Sequence, residues 1–458
     1  MMQYIKFNIV FLLFFSAISG AQEIESGLPG NSKEDLNITV ENLVNQAKNE
    51  KELLEFKRLK DVISVPFNST PLFLQTLESL KLAEERKNEV FSRYLPRITS
   101  SIGGGVKSGG LNNDSNSQSY NLNITQLVYD FGVTGKEVDA VEKESLASQS
   151  KVESQRTDLL LEIITAVHEV YRAETQLLLS QGFVDTRRGF LESTRQREEL
   201  GGASNADVIR AETKLSEALD KIPVQVKLLK DTRAKLLEFF DNPELDLGLT
   251  RLPVINPEKL SITDEILRKN FLIKEIDNQL EASILQFEAQ KNSSFGRFNL
   301  QASYQNTDTN LLSPQEQSSL LLTYQIDIFT GFERSSKINQ ASYRVNTLQF
   351  ERQRQKRELE TQLKQSINSF DAQAASVLSR AELVVGAKLS NKVNKELFEL
   401  NKTSINDLFR SQEEYITAAK NLVDAMVDKN LSFYQMLGKF GILLSNLSTS
   451  NRFRKRSF

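Results

Sequence analysis

The phrase LGGASNADVIRAE runs from residue 200 to 212, and LNKTSINDLFRSQ runs from 400 to 412. Leu200 returns as Leu400, Ser204 as Ser404, Asp207 as Asp407 and Arg210 as Arg410. A phrase repeated across 200 residues constrains the chain more than its composition does. Whatever the first half folds into, the second half must fold into again.

The flanking sequence repeats as well. Thr70-Pro71 reads as the N-cap and first residue of a helix, which continues at helical spacing until Pro96 stops it. Strands are predicted at 97–107 and 119–129, then a helix from about Thr134 to Glu199, weakly broken at Gly182. At about 1.5 Å per residue that helix is roughly 100 Å long. The LGGAS turn interrupts it, and helix resumes to about Phe240. The second half predicts helix from about Thr263 to Asn292, strands at 297–306 and 319–328, helix from about Ser335 to Leu400, a turn, and helix to about Leu443. Asp130-Phe131-Gly132 closes strand two as Phe329-Thr330-Gly331 closes strand four, which aligns Gly132 with Gly331, 199 apart. The resulting plan is a signal segment at 1–21, an N-terminal segment at 22–69, a first repeat at 70–253 with its turn at 200–204, a second repeat at 254–444 with its turn at 400–404, and a basic tail at 445–458. The 22–69 segment has no counterpart in the second half; VENLVNQAKNEKELLEFKRL within it reads as partly helical.

The start of the chain reads as an export signal. Lys6 precedes an apolar run from Phe7 to Ile18, and Ser19-Gly20-Ala21 offers a small-residue cleavage site after Ala21. The run falls short of the roughly 20 residues a membrane helix needs. There is no cysteine, so neither a disulfide nor a cysteine-linked lipid is available. Charged residues make up 26% with a net charge of −3, which lacks the basic surplus of a nucleic-acid binder.

A chain whose helices are this polar can enter a membrane only through strands. Each is about ten residues long, the length a tilted strand needs to cross a bilayer. Ile98, Ile102 and Val106 face one way, and Thr99, Ser101 and Lys107 the other. The apolar faces of strands three and four carry Phe298, Leu300, Tyr304, Leu320, Leu322 and Tyr324, which are read as lipid-facing. Strand two is ambiguous, because Gln126 shares a face with Leu122 and Ile124. Tyr120, Tyr129, Phe298, Tyr304 and Phe329 sit near strand ends, where an interfacial girdle needs aromatic rings. Four strands cannot close a barrel, and lipid forbids open edges, so strands must be pooled with copies of the same chain. Three copies supply twelve.

With LNITQLVYDFG and LLLTYQIDIFTGFE each preceding a long helix, and with the paired turns, the chain resembles the TolC family of outer-membrane channel proteins over about Thr70 to Leu444. The resemblance implies a mainly α chain with a transmembrane β-barrel: a homotrimer whose four strands per chain close a 12-stranded barrel in the outer membrane, continued by a long periplasmic α-helical coiled-coil barrel. It implies a passive conduit that meets outer-membrane lipid, a periplasmic adaptor (membrane fusion) protein, and an inner-membrane ABC or proton-driven transporter. No cofactor, metal or nucleic acid belongs to that picture.

By the same resemblance the turns are adaptor-docking tips, Leu200, Gly201, Gly202, Ala203, Ser204 and Asp207 in one, and Leu400, Asn401, Lys402, Thr403, Ser404 and Asp407 in the other. Each reads as a capping box, with Ser204 or Ser404 accepting from free helix-start N–H groups and an Asp three residues on. The periplasmic gate falls on Phe398, Thr403, Asp407 and Arg410. This chain departs from the family pattern there. Asn401 stands for a glycine, Thr403 for an arginine, Phe398 for a tyrosine, and Arg410 for a second aspartate. An Asp407–Arg410 pair on one helix would replace a double acidic ring.

Other classes fit less well. The only histidine, His168, lies mid-helix and reads as a packing or surface residue. Gly103-Gly104-Gly105 sits in a strand, so it is no phosphate loop. Carboxylates lie beside Lys and Arg along helices, as on a solvated face. An exported coiled-coil adhesin explains the helices but not four symmetrically placed amphipathic strands. Of the family's two services, the missing lipid-bearing cysteine favours type I protein secretion over multidrug efflux.

Overall fold

The computed structural model describes residues 36–48, 70–109, 113–240, 262–309 and 312–443. The signal segment, most of the N-terminal segment, the irregular stretch near 241–253 and the basic tail lie outside them. In chain order the elements are α1 (Leu36–Lys48), α2 (Pro71–Phe91), β1 (Arg97–Gly109), β2 (Asn113–Tyr129), α3 (Val133–Glu199) and α4 (Asn205–Lys235). There follow α5 (Asp264–Lys269), α6 (Phe271–Asn292), β3 (Arg297–Thr309), β4 (Leu312–Gln325), α7 (Glu333–Glu399) and α8 (Ile405–Lys439). β1 and β3 start 200 residues apart, as do α3 and α7, each 67 residues long. Among the described residues no helix is long and apolar enough to cross a membrane.

The chain divides into two compact units. One holds the sheet, the helices around it, and the strand-proximal parts of α3 and α7. Its sheet is antiparallel in the order β1-β2-β3-β4. Register places Ile98 opposite Ile124, Leu122 opposite Tyr304, Leu300 opposite Leu322, and Phe298 opposite Tyr324. All lie on one face, with Thr99, Asn123, Asn299 and Thr323 on the other. The apolar face is open: Leu320 is 68% exposed and Leu322 66%.

Register also settles strand two. Gln126 does share the apolar face, opposite Leu300. A bulge then shifts the ladder so that Tyr129, not Val128, meets Phe298. The Gln126 amide donates to the Tyr94 and Leu127 carbonyls, so its polar end is satisfied at the strand margin. Aromatic rings gather there, with Phe298 stacked on Tyr324 at 4.6 Å and Phe131 within 5.5 Å of Phe295.

Several sequence expectations change. Strands two and four begin at Asn113 and Leu312, earlier than the expected 119 and 319, so the hairpins are longer and their turns shorter. Strand four ends at Gln325 and not at Ile328, because the chain leaves the sheet for the turn into α7, where the Arg334 guanidinium binds the Asp327 carbonyl. The helix expected over 263–292 is two helices. Asn270 breaks it, accepting from the Leu272 N–H at 3.0 Å and donating to the Lys439 carbonyl at 2.9 Å. The strand-closing glycines align differently as well. Left-handed backbone occurs at Phe131-Gly132 and at Gly331-Phe332, so the offset stays at 200 and the glycine has swapped places within the pair. Asp130 and Thr330 cap these turns; Asp130 accepts from Gly132 N (3.1 Å) and Thr134 N (2.7 Å), and Thr330 from Arg334 N (3.3 Å).

The other unit contains α1, both paired turns and the flanking helix ends. α1 buries Leu36, Thr39, Val40, Leu43 and Val44, a helical stripe. It explains Gly182, which does not break α3: a Cβ there would meet Leu36 Cβ at 3.1 Å. Glu41 pairs with Lys388 at 3.5 Å.

His168 is fully buried in the sheet-bearing unit, edge-on to Tyr434 at 5.5 Å, with Nδ1 2.8 Å from the Ile164 carbonyl. Burial lowers its pKa from 6.5 to about 4. The folded state therefore resists protonation that the unfolded chain accepts. Stability is full above pH 6.5 and falls as the pH drops toward 4, by about 3 kcal/mol in all at about 1.4 kcal/mol per pH unit. Thermal melts at pH 7 and pH 5 should show a smaller acid loss of Tm for His168→Leu than for wild type; equal losses would refute this assignment.

Candidate functional site at the paired turns

Both turns are built the same way from different residues. α3 ends when Gly201 adopts φ +75°, and α7 ends when Asn401 adopts φ +58°. In each, two N–H groups reach back to the last helical carbonyls: Gly202 to Arg197 (2.6 Å) and Gly201 to Glu198 (2.9 Å), then Lys402 to Leu397 (2.8 Å) and Asn401 to Phe398 (3.0 Å). This is a Schellman closure, whose left-handed position accepts glycine or asparagine. Asn401 thus does the backbone work of the glycine it replaces.

The capping box is complete in the first turn, while the second has the serine–aspartate exchange without the return bond to the Ser404 N–H. The Asp207 N–H donates to Ser204 Oγ at 3.2 Å, while the Ser204 hydroxyl and N–H donate to Asp207 Oδ2 at 2.7 and 3.2 Å. In the second turn the Asp407 N–H donates to Ser404 Oγ at 3.1 Å, and that hydroxyl donates to Asp407 Oδ2 at 2.6 Å. Thr403 donates to the same oxygen at 3.5 Å. The serine hydroxyl bonds hold both aspartates below the usual carboxylate range. Arg210 and Arg410 approach Asp207 and Asp407 at 3.4 and 4.0 Å. Each carboxylate is therefore engaged within its own turn. Leu200, Ala203, Leu400 and Thr403 stand at or near the surface, with Leu200 87% exposed.

Phe398 packs against Phe190, whose ring meets Phe409, over a core of Leu191, Val208, Ala211 and Ile405. The Arg197 guanidinium lies 4.8 Å from the Phe398 ring centroid. One of its nitrogens donates to Asn401 Oδ1 at 2.7 Å and to the Gly202 carbonyl at 3.3 Å. A single arginine from the first turn therefore ties both turns together. Sequence reasoning missed it, having looked for an arginine only at Thr403. A cation in the last turn of a helix is a common feature and gave no special signal.

Arg187 was missed too. It is 2% exposed and sandwiched between the Phe183 and Phe409 rings, each at 4.7 Å. It donates to Gln412 Oε1 at 2.6 Å and to the Phe409 carbonyl at 3.3 Å, and pairs with Glu413 at 3.5 Å. A buried arginine needs such partners to offset desolvation. In sequence it was one more charge on a helix. Among the described residues no group of three or more His, Cys, Asp or Glu could hold a metal ion.

Residues 69–237 match the family described as outer membrane efflux protein. The fold matches the Campylobacter jejuni CmeC outer membrane channel with a TM-score of 0.75 at 12% identity, covering 94% of this chain and 93% of that one. It also matches the Neisseria gonorrhoeae MtrE outer membrane channel (0.72, 15%, 84% and 89%) and the Vibrio cholerae outer membrane protein VceC (0.71, 13%, 85% and 96%). No curated protein matches the sequence. The resemblance to the TolC family read from the sequence is borne out: the chain carries the efflux-protein pattern in its first half and this channel fold through both halves.

Removing either cap is expected to cost about 1 kcal/mol of local stability. Ser204→Ala should speed amide exchange in the first turn of α4, and Ser404→Ala in the first turn of α8. Arg197→Ala should speed exchange in both 200–204 and 400–404. Exchange mass spectrometry checks this, and acceleration in only one turn would show that Arg197 does not couple them.

Proposed function

We propose that three copies of this chain close a 12-stranded barrel in the outer membrane and extend their helices into the periplasm as a passive export conduit. The observation that carries this is the sheet. It has one apolar and one polar face, strands of bilayer-crossing length, two edges unpaired among the described residues, and direct connections into polar 67-residue helices. Leu300, Tyr304, Leu320, Leu322 and Tyr324, with Phe298 partly covered, form the lipid-facing surface. Exposed apolar residues on α7, Tyr343 and Phe350 seven apart, then Leu378, Val385, Leu389 and Val393 at steps of seven, four and four, suit packing against a second copy. No step of this work is catalytic; transport energy comes from the partner pump.

The paired turns are the surface offered to a periplasmic adaptor, through Leu200 to Ser204 and Leu400 to Ser404. Phe398, Thr403, Asp407 and Arg410 border the entrance, held by the Arg197 link. The conduit serves an inner-membrane ABC or proton-driven transporter. We favour type I protein secretion, on the missing lipid-bearing cysteine; the efflux reading is supported by the description of the matched family.

Two experiments test this. The chain lacks cysteine, so single pairs introduced along β1 and β4 report edge contacts against no background. Oxidation should yield bands that stop at the trimer; monomers at every register would sink the pooled barrel. Photo-crosslinkers at Ala203 and Thr403 should capture an adaptor in cells. Co-purification of an ABC exporter supports protein secretion, a proton-driven multidrug pump moves the assignment to efflux, and capture of no adaptor refutes the docking role.

A further inference from the structure

The sheet's polar face ends in a charged concavity that the channel reading does not use. It encloses about 990 Å³ where the strands meet the helices. Five cations line it: Arg93, Arg97, Arg297, Arg334 and Lys337. Four carboxylates do as well: Asp130, Glu137, Asp327 and Glu333. These charges do not cancel evenly.

Arg93 is neutralised by Glu137, and Lys337 by Glu333 at 2.6 Å. Asp130 is buried and occupied in its turn by Gly132 N, Thr134 N and the Thr134 hydroxyl at 2.5 Å. That leaves Arg97, Arg297 and Arg334 against Asp327. Arg97 has no ion-pair partner among the described residues. Among the described residues Arg297 donates only to the neutral Gln325 side chain at 3.2 Å, and Arg334 to a backbone carbonyl.

Arg97 and Arg297 are the first residues of β1 and β3, 200 apart, and share the polar face with Thr99 and Asn299. An arginine at a strand start is by itself only a soluble end. Here the same residue recurs in both halves, on the same face, with no carboxylate to neutralise it, beside a concavity.

We propose that Arg97 and Arg297 form an arginine collar at the inner end of the barrel bore, which makes the conduit selective for anionic cargo bearing carboxylate or phosphate groups. This rests on the trimeric-channel reading, in which six such arginines ring one passage. Rings of Arg or Lys select anions, and a narrow bore with low-dielectric walls focuses their field. Arg97 and Arg297 are specificity determinants; docking and barrel closure do not require them.

The test uses the purified full-length protein in planar bilayers under a potassium chloride gradient, with the reversal potential giving the chloride-over-potassium permeability ratio. Relative to wild type, Arg97→Gln/Arg297→Gln should lower that ratio about threefold or more in low salt, where charges are least screened, with a smaller effect in 1 M salt. Arg97→Lys/Arg297→Lys keeps the charge and should retain the wild-type ratio, which separates charge loss from misfolding. Conducting channels with an unchanged ratio in the glutamine variant would overturn the collar alone. No conductance from the wild-type protein would overturn the channel reading, and the collar with it.

Discussion

A sheet edge in lipid has no water to satisfy its N–H and C=O groups, and each orphan costs several kcal/mol. β1 and β4 are such edges in a single chain. If this sheet lies in a bilayer, it cannot lie there alone, and the requirement propagates through the molecule. It asks for copies related by rotation, so that β4 of one chain meets β1 of the next. It asks the chain to leave the sheet without a further strand, which it does by entering a helix within a few residues of each hairpin. The left-handed pairs Phe131-Gly132 and Gly331-Phe332, capped by Asp130 and Thr330, are how it does so twice. Moving the glycine by one position between the halves shows that the backbone path is kept while the side chains drift.

Much of this was legible in the sequence because it depends on periodicity. Alternation over ten residues marks a two-faced strand, and helical spacing over sixty marks a packed helix, whatever the individual residues. The strand start at Arg97 follows from Pro96, and the helix end at Glu199 from the turn phrase. What was not legible depends on single long-range contacts. Asn270 breaks a helix because the Lys439 carbonyl lies within reach of its amide. Gly182 fails to break one because Leu36 packs against it. Gln126 is tolerated on an apolar face because the Tyr94 carbonyl receives it, and the bulge that follows restores Tyr129 to that face. None of these partners is close in sequence.

The turns show the same division. Their capping boxes are local, three residues wide, and were readable. Arg197 and Arg187 reach across helices, and their partners Asn401 and Gln412 lie more than 200 residues away. One half of the chain contributes the cation and the other half contributes the acceptor, so the coupling can be seen only once the halves are folded together.

That coupling changes how the second turn is understood. Taken alone, Asn401, Thr403 and Arg410 look like losses from a family pattern. In the structure Asn401 supplies both the left-handed backbone of the replaced glycine and a side-chain oxygen that glycine lacks. Arg197 uses that oxygen, so an arginine still reaches the second turn, but it comes from the first. Asp407 meanwhile accepts from the Ser404 and Thr403 hydroxyls, with Arg410 at the edge of ion-pair range. Its charge is thus largely committed within its own turn. The two turns then act as one unit held by an intrachain hydrogen bond and a stacked phenylalanine, and the repeated phrase works because its two copies are not identical.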